Sequence, residues 1–234
     1  MNKVEFANSE IEVVNTPQSV YDSFNNFIFS NDLKVFSKLI ARHQLFKETL
    51  DIPGDIVECG VFKGSGILTW LKLKKTLCPY ALKKVVGFDM FDEIELLNSL
   101  TGDDKVKMSN LFTSRKFNYK SYKEVLESII HDAGFNDADF ELLQGDASVT
   151  TYDYVMRRPG MKISLLYLDM DIEKPTYDSL NNLYERVSKG GYIVFDEYAC
   201  HQWSESKGAD KFANEHNLEI KALPYLAPTA YIKK

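Results

Sequence analysis

The sequence predicts an α/β protein built on a doubly wound, mostly parallel sheet, and three observations carry that prediction. Short apolar runs alternate with segments of helical period through most of the 234 residues. The most apolar run, Ile163-Ser-Leu-Leu-Tyr-Leu168, is continuous rather than alternating, as in a parallel strand covered on both faces. The last two apolar runs lie too close together for a crossover helix, so they read as an antiparallel hairpin at the sheet edge. Five strands and that hairpin give a seven-stranded sheet.

From Pro17 to Thr49, Val20, Phe24, Phe27 and Ile28, then Val35, Phe36, Leu39 and Ile40, recur at helical spacing. Two helices result, with Asn31 or Asp32 capping the second, and residues 1–50 form a helical cap on a single domain of residues 1–234. Phe24 and Phe27 read as core. Asp55–Phe62 is the first strand, Lys63-Gly-Ser-Gly66 a turn and Ile67–Thr76 a helix. Lys84–Met90 is the second strand. Residues 91–121 are polar and irregular and read as a lid, with "DDKVKM" on its solvated face. A helix over Tyr122–Ala133, strands at 140–146 and 163–168, a helix over Tyr177–Val187, a strand at 191–197 and the edge hairpin 218–223/230–233 complete the order.

Composition excludes several classes. A net charge of −6 lacks the basic footprint of a nucleic-acid binder, so a small-molecule partner is expected. Three scattered cysteines fit neither a disulfide framework nor a zinc ribbon. Neither an h-region at the N-terminus nor a membrane-length apolar segment is evident, so a cytoplasmic protein is expected. The apolar N-terminal helices offer a surface for a homo-oligomer, a dimer first.

The candidate chemistry gathers at the carboxyl ends of the strands, where open α/β sheets bind ligands. Glu58, Gly60, Gly64 and Gly66 surround the first strand-to-helix turn, although the spacing is not G-x-G-x-x-G. Asp89 ends the second strand, where an acid accepts from ribose hydroxyls, and Gly145-Asp146 ends the third, where it can face an adenine. Asp169 and Asp171 follow the fourth strand and share a side if the strand continues that far. Asp196-Glu197 ends the fifth. Such carboxylates, without nearby arginines, would repel one another unless a hard divalent cation sat among them; pairing with a lysine such as Lys174 is the bland alternative. His201, in the loop beyond, is a second candidate for proton transfer.

The motifs "GDIVECGVFKGSG", "GFDMFDE", "LLQGD", "LDMDIEKPTYDSLNNLYERVSKGGYIVFDEY" and Trp203–Phe212 resemble the macrocin O-methyltransferase (TylF-type) family of class I, Rossmann-like S-adenosylmethionine-dependent enzymes. The resemblance implies Glu58, Gly60, Gly64, Ser65, Asp89, Gly145, Asp146 and Asp169 around S-adenosylmethionine. It implies Mg²⁺ on Asp169, Asp196 and Glu197, with Asp171 as candidate general base beside the His201 that the residues themselves offer. Many members read Asp-Leu-Tyr at Asp171-Ile-Glu173 and Asp-Asp-Tyr at Asp196-Glu-Tyr198. The implied activity is metal-assisted methylation of a hydroxyl on a sugar, nucleotide sugar or glycosylated metabolite, in sugar or natural-product biosynthesis. A nicotinamide-dependent oxidoreductase, a non-catalytic carbohydrate-binding protein and a catechol-like acceptor are the alternatives.

Overall fold

The structure, a computed structural model, describes residues 3–6, 9–12, 16–114 and 122–234. Lys3–Phe6 (β1) and Ser9–Glu12 (β2) pair as an antiparallel hairpin. Pro17–Phe29 (α1) starts from a capping box in which Thr16 and Ser19 satisfy each other's backbone, with Pro17 in the first turn. Asp32 caps Leu33–Glu48 (α2), its carboxylate accepting from the Val35 amide at 2.8 Å.

The remaining elements alternate as expected. They are Asp55–Cys59 (β3), Ser65–Leu77 (α3), Val85–Asp89 (β4), Glu93–Ser99 (α4), Gly102–Ser114 (α5), Lys123–Asp132 (α6), Phe140–Gln144 (β5), Ala147–Arg157 (α7), Ile163–Leu168 (β6), Glu173–Leu183 (α8), Val187–Phe195 (β7), Glu205–Glu215 (α9), Lys221–Ala222 (β8) and Ala230–Lys233 (β9). The seven-stranded sheet has the order β5-β4-β3-β6-β7-β9-β8. Its first five strands are parallel; β9 runs antiparallel to β7 and to β8. Strand order reverses between β3 and β6, which makes their carboxyl ends the switch-point crevice.

The period of two in β6 feeds both layers. Leu165 and Tyr167 pack with Phe46 of α2, Trp70 of α3 and Leu126 of α6 on one face. Leu166 and Leu168 pack with Tyr154 of α7, Leu180 of α8 and Phe212 of α9 on the other. At about 1.5–3 kcal/mol for each large apolar side chain taken from water, these two layers are the main stabilising term. The polar intruder in β6, Ser164, is satisfied: its hydroxyl donates to the Gly54 and Asp55 carbonyls, both at 3.1 Å.

Several expectations change. Residues 93–99 and 102–114 are helical, because Asp92 caps α4 by accepting from the Ile94 and Glu95 amides at 2.9 and 3.0 Å, and Met108 and Phe112 anchor α5 in the core. The end of the expected lid, residues 115–121, lies outside the described residues. Helix α8 starts four residues before the expected Tyr177. Helix α9, not expected, packs on α8 through Gly208. Helix α1 buries no residue, so Phe24 is an exposed aromatic and not core. Among the described residues no helix is long and apolar enough to cross a membrane.

One buried acid belongs to this framework. Glu58, 1% exposed, lies under α3, where Trp70 Nε1 donates to Oε2 at 2.8 Å and the Arg42 guanidinium stands 3.7 Å from Oε1. A Cβ at Gly66 would lie 1.9 Å from Oε1, so this glycine makes room for the carboxylate. Burial outweighs the Arg42 charge and raises the Glu58 carboxyl to about 7.

Two predictions follow from this packing. Because the folded chain holds the Glu58 proton more tightly than the unfolded one, the stability from Glu58 is complete below pH 4.5 and is lost as pH rises to about 7. Glu58→Gln should flatten the fall in unfolding free energy across that window, measured by urea denaturation at a series of pH values; an unchanged slope would refute the assignment. A Cβ at Gly208 would lie 2.4 Å from the Glu173 carbonyl oxygen. Gly208→Ala should therefore lower stability by about 1–3 kcal/mol despite its better helix propensity. A rise in the denaturation midpoint would contradict that packing.

Candidate functional site

A cleft of about 850 Å³ opens at the carboxyl ends of β3, β4, β5 and β6. Strand β3 gives way at Gly60, whose φ of +90° no side chain adopts easily, and a Cβ there would strike the Asp169 backbone oxygen at 2.0 Å. The turn after Gly60 is held by the neighbouring strand. Asp89 Oδ2 accepts from the Val61 and Phe62 amides at 2.8 and 2.9 Å, and Oδ1 accepts from the Phe91 amide at 2.8 Å. The Met90 amide also faces this carboxylate, which stands at the cleft wall.

Phe88, Met90 and Ala147 add apolar surface beside Asp89, and Gly145 (φ +130°) with Asp146 closes this end. Asp146 is also the cap of α7, accepting from the Ser148 amide at 2.8 Å. A strand-end carboxylate, glycine backbone at the wall and an apolar surface suit a ribose and an adenine, so the residues present fit S-adenosylmethionine. Gly64 and Glu58 do not line the cleft. Gly64 is the left-handed cap of α3, packed under Leu126, and Glu58 is buried as described.

The other end of the cleft is charged. Strand β6 ends at Leu168, and Asp171 sits in a turn with φ +64°, so Asp169 and Asp171 are not related by strand alternation. Burial first, then the charges of Asp169, Glu197 and Asp196, hold the Asp171 carboxyl well above the ordinary range. Strand β7 lies directly beside β6 and brings in Asp196 and Glu197, 0% and 8% exposed. The Tyr167 hydroxyl donates to Asp196 Oδ1.

Cations meet these acids from α2. Lys38 Nζ stands 2.7 Å from Asp196 Oδ2 and 3.1 Å from Asp169 Oδ2, Lys34 Nζ donates to Glu197 Oε1, and Arg42 is 4.0 Å from Asp169 Oδ2. The expectation that no arginine lies near these carboxylates is thus corrected by Arg42, and lysines do pair with them, from α2. Lys174, the lysine considered for the bland reading, pairs within its own helix with Asp178. The oxygen chemistry of Asp169, Asp196 and Glu197 suits Mg²⁺, but their arrangement does not. An ammonium ion stands on each of the three, and among the described residues no three His, Cys, Asp or Glu side chains come together to hold a metal.

Sequence reasoning missed further contributors. Ser204 ties three segments together: its amide donates to the Asp171 carbonyl at 3.1 Å, and its hydroxyl accepts from the Glu173 amide at 2.9 Å and donates to Asp104 Oδ2 of α5 at 2.8 Å. Asp104, expected on a solvated face, lines the cleft. Glu205, fully buried, accepts from the Glu197 amide at 3.1 Å, and burial raises its carboxyl well above the ordinary range. The spacing of four between Lys34, Lys38 and Arg42 was the available signal for the α2 cations. His201 is exposed and stands outside the cleft lining. Phe27, expected in the core, lines the cleft.

Comparison with known proteins places this geometry. Over 152 residues the chain is 25% identical to demethyldecarbamoylnovobiocin O-methyltransferase of Streptomyces niveus, covering 63% of this chain and 54% of that protein. It is 44% identical over 151 residues to uncharacterized protein R132 of Acanthamoeba polyphaga mimivirus, covering 63% and 53%. The chain spans about half the length of the curated relatives it matches. The apo structure of CalS11, a TDP-rhamnose 3'-O-methyltransferase of calicheamicin biosynthesis, superimposes with a TM-score of 0.70 at 26% identity, covering 94% of this chain and 88% of that one. With residues 31–224 matched by the family model of macrocin-O-methyltransferase (TylF), the chain belongs to that family.

Proposed function

We propose that this protein is an S-adenosylmethionine-dependent O-methyltransferase acting on a hydroxyl of a sugar, nucleotide sugar or glycosylated small molecule. One observation carries the reading: a single cleft joins a nucleoside-shaped end, with Asp89, Gly60 and Gly145, to an end where Asp171 stands among fixed charges. The activities of two similar proteins, demethyldecarbamoylnovobiocin O-methyltransferase and a TDP-rhamnose 3'-O-methyltransferase, support this reading.

Bound S-adenosylmethionine supplies a methyl carbon on a sulfonium sulfur that leaves as a neutral thioether when an acceptor oxygen forms the new bond to carbon. Asp89 accepts from the ribose, and Gly60, Ser65, Gly145 and Asp146 line the nucleoside end. Asp169, last at the β6 terminus, borders both ends of the cleft. Asp171, when ionised, takes the proton of the attacking hydroxyl, and its raised affinity for protons makes it a stronger base than an exposed carboxylate. Phe27, Leu39, Leu100 and Trp203 wall the acceptor end and keep water from the reacting atoms. No step here is routed through a divalent ion.

Calorimetric titration of S-adenosylhomocysteine tests the reading. Saturable binding is expected in the wild type and should weaken about tenfold or more in Asp89→Asn, which removes a charged acceptor worth roughly 1.5–3 kcal/mol. Asp171→Asn should bind S-adenosylhomocysteine as the wild type does, yet methylate TDP-rhamnose or a glycoside panel about 10²–10⁴-fold more slowly. Saturable binding of NAD and none of S-adenosylhomocysteine would instead favour an oxidoreductase.

A further inference from the structure

Helix α2 carries Lys34, Lys38 and Arg42 four residues apart, which stacks them on one face over two turns. Each meets a different part of the acid cluster. Lys34 meets Glu197 at the rim, Arg42 meets Glu58 and Asp169 at the floor, and Lys38 stands between Asp169 and Asp196. Arg42 is held from two further sides, its guanidinium lying 5.1 Å from the Tyr167 ring and 5.7 Å from the Trp70 ring. Tyr167 in turn donates to the Asp196 oxygen that Lys38 leaves free.

Asp196 is wholly buried, and a buried carboxylate is tolerated only when a charge or hydrogen-bond donors compensate it. The Lys38 ammonium supplies that compensation to Asp196 and Asp169 at once. A divalent ion bridging the same two carboxylates would need oxygens at about 2.0–2.1 Å for Mg²⁺ and would stand beside an ammonium already in contact with both. Two cations cannot share that space without strong repulsion.

We propose that Lys38 is the resident cation of this acid cluster: it fixes Asp169 and Asp196 beside the acceptor end, in the place where a divalent ion would otherwise bind. Lys38 also lines the cleft, so the ammonium that positions the two carboxylates is within reach of an acceptor oxygen. The assignment rests on the methyltransferase reading for its consequence in catalysis. Its own test does not, because metal binding and S-adenosylhomocysteine binding are separate titrations.

The experiment is titration of MnCl₂ into chelator-treated wild type, Lys38→Met, Asp169→Asn and the Lys38→Met/Asp169→Asn double variant, followed by the electron-paramagnetic signal of free Mn²⁺. Wild type should show no saturable uptake, Lys38→Met should gain one site, and the double variant should lose it again. Saturable uptake by the wild type that Asp169→Asn abolishes would overturn the proposal. So would a folded Lys38→Met protein that takes up no Mn²⁺. Lys38→Gln serves in its place if the methionine variant does not fold. Binding of S-adenosylhomocysteine, measured on the wild type of the same series, fails only if the methyltransferase reading fails.

Discussion

A carboxylate delivered into the interior at the end of a central strand has to meet a cation or hydrogen-bond donors, and at Asp196 that requirement ties the N-terminal helix α2 to the sheet. The rungs of the α2 ladder differ greatly in worth. Lys34 is half exposed, so its pair with Glu197 belongs to the class that contributes about 0–1 kcal/mol. Asp196 is sealed from water, and stranding it would cost about 3–5 kcal/mol. The contact of Lys38 with Asp196 and Asp169 therefore decides where α2 lies. Because α2 also supplies Val35 and Leu39 to the cleft wall, the same ionic contact sets the shape of the acceptor end.

The glycines divide the work differently from what their clustering implies. Gly64 and Gly66 serve the framework, one by turning the chain into α3 and the other by leaving space for Glu58. Gly60 and Gly145 reach the cleft. Asp89 does both, since it holds the Val61–Phe62 turn through two amides and stands at the cleft wall. A site assembled this way is preorganised: the groups that would bind a nucleoside are fixed by hydrogen bonds made before any ligand arrives.

The central strands were legible because burial on both faces leaves an unmistakable apolar run, as in residues 163–168. Strand ends carrying Asp89, Asp169 and Asp196 were legible for the same reason, each being an acid that interrupts such a run. The cationic partners were not. Pairing of Lys38 with Asp169 joins positions 131 residues apart, and nothing local to either position announces it. Helix α5 was missed because its stripe is weak: few residues face the core, and Asp104 turns to Ser204 rather than to solvent. The turn at Asp171 breaks the alternation rule, which holds only while the chain stays extended. Phe24 misled because helical spacing of apolar residues shows that a face exists, not that this chain covers it.

Helix α1 has a well-built start but none of its residues is buried, and an isolated helix of 13 residues is marginal in water. Its backbone hydrogen bonds therefore open at little free-energy cost, whereas those of β3 and β6 open only with global unfolding. The chain is graded in depth, from a slowly exchanging switch-point pair of strands outward to a helix whose amides exchange freely. Lys38 lies on the boundary of that gradient, on a helix whose C-terminal half is rooted in the core through Leu45 and Phe46 and whose N-terminal half is held mainly by charge. High ionic strength should screen the half-exposed Lys34–Glu197 pair and leave the sealed Lys38–Asp196 contact nearly untouched, so that salt loosens only the first turn of α2 at the acceptor rim.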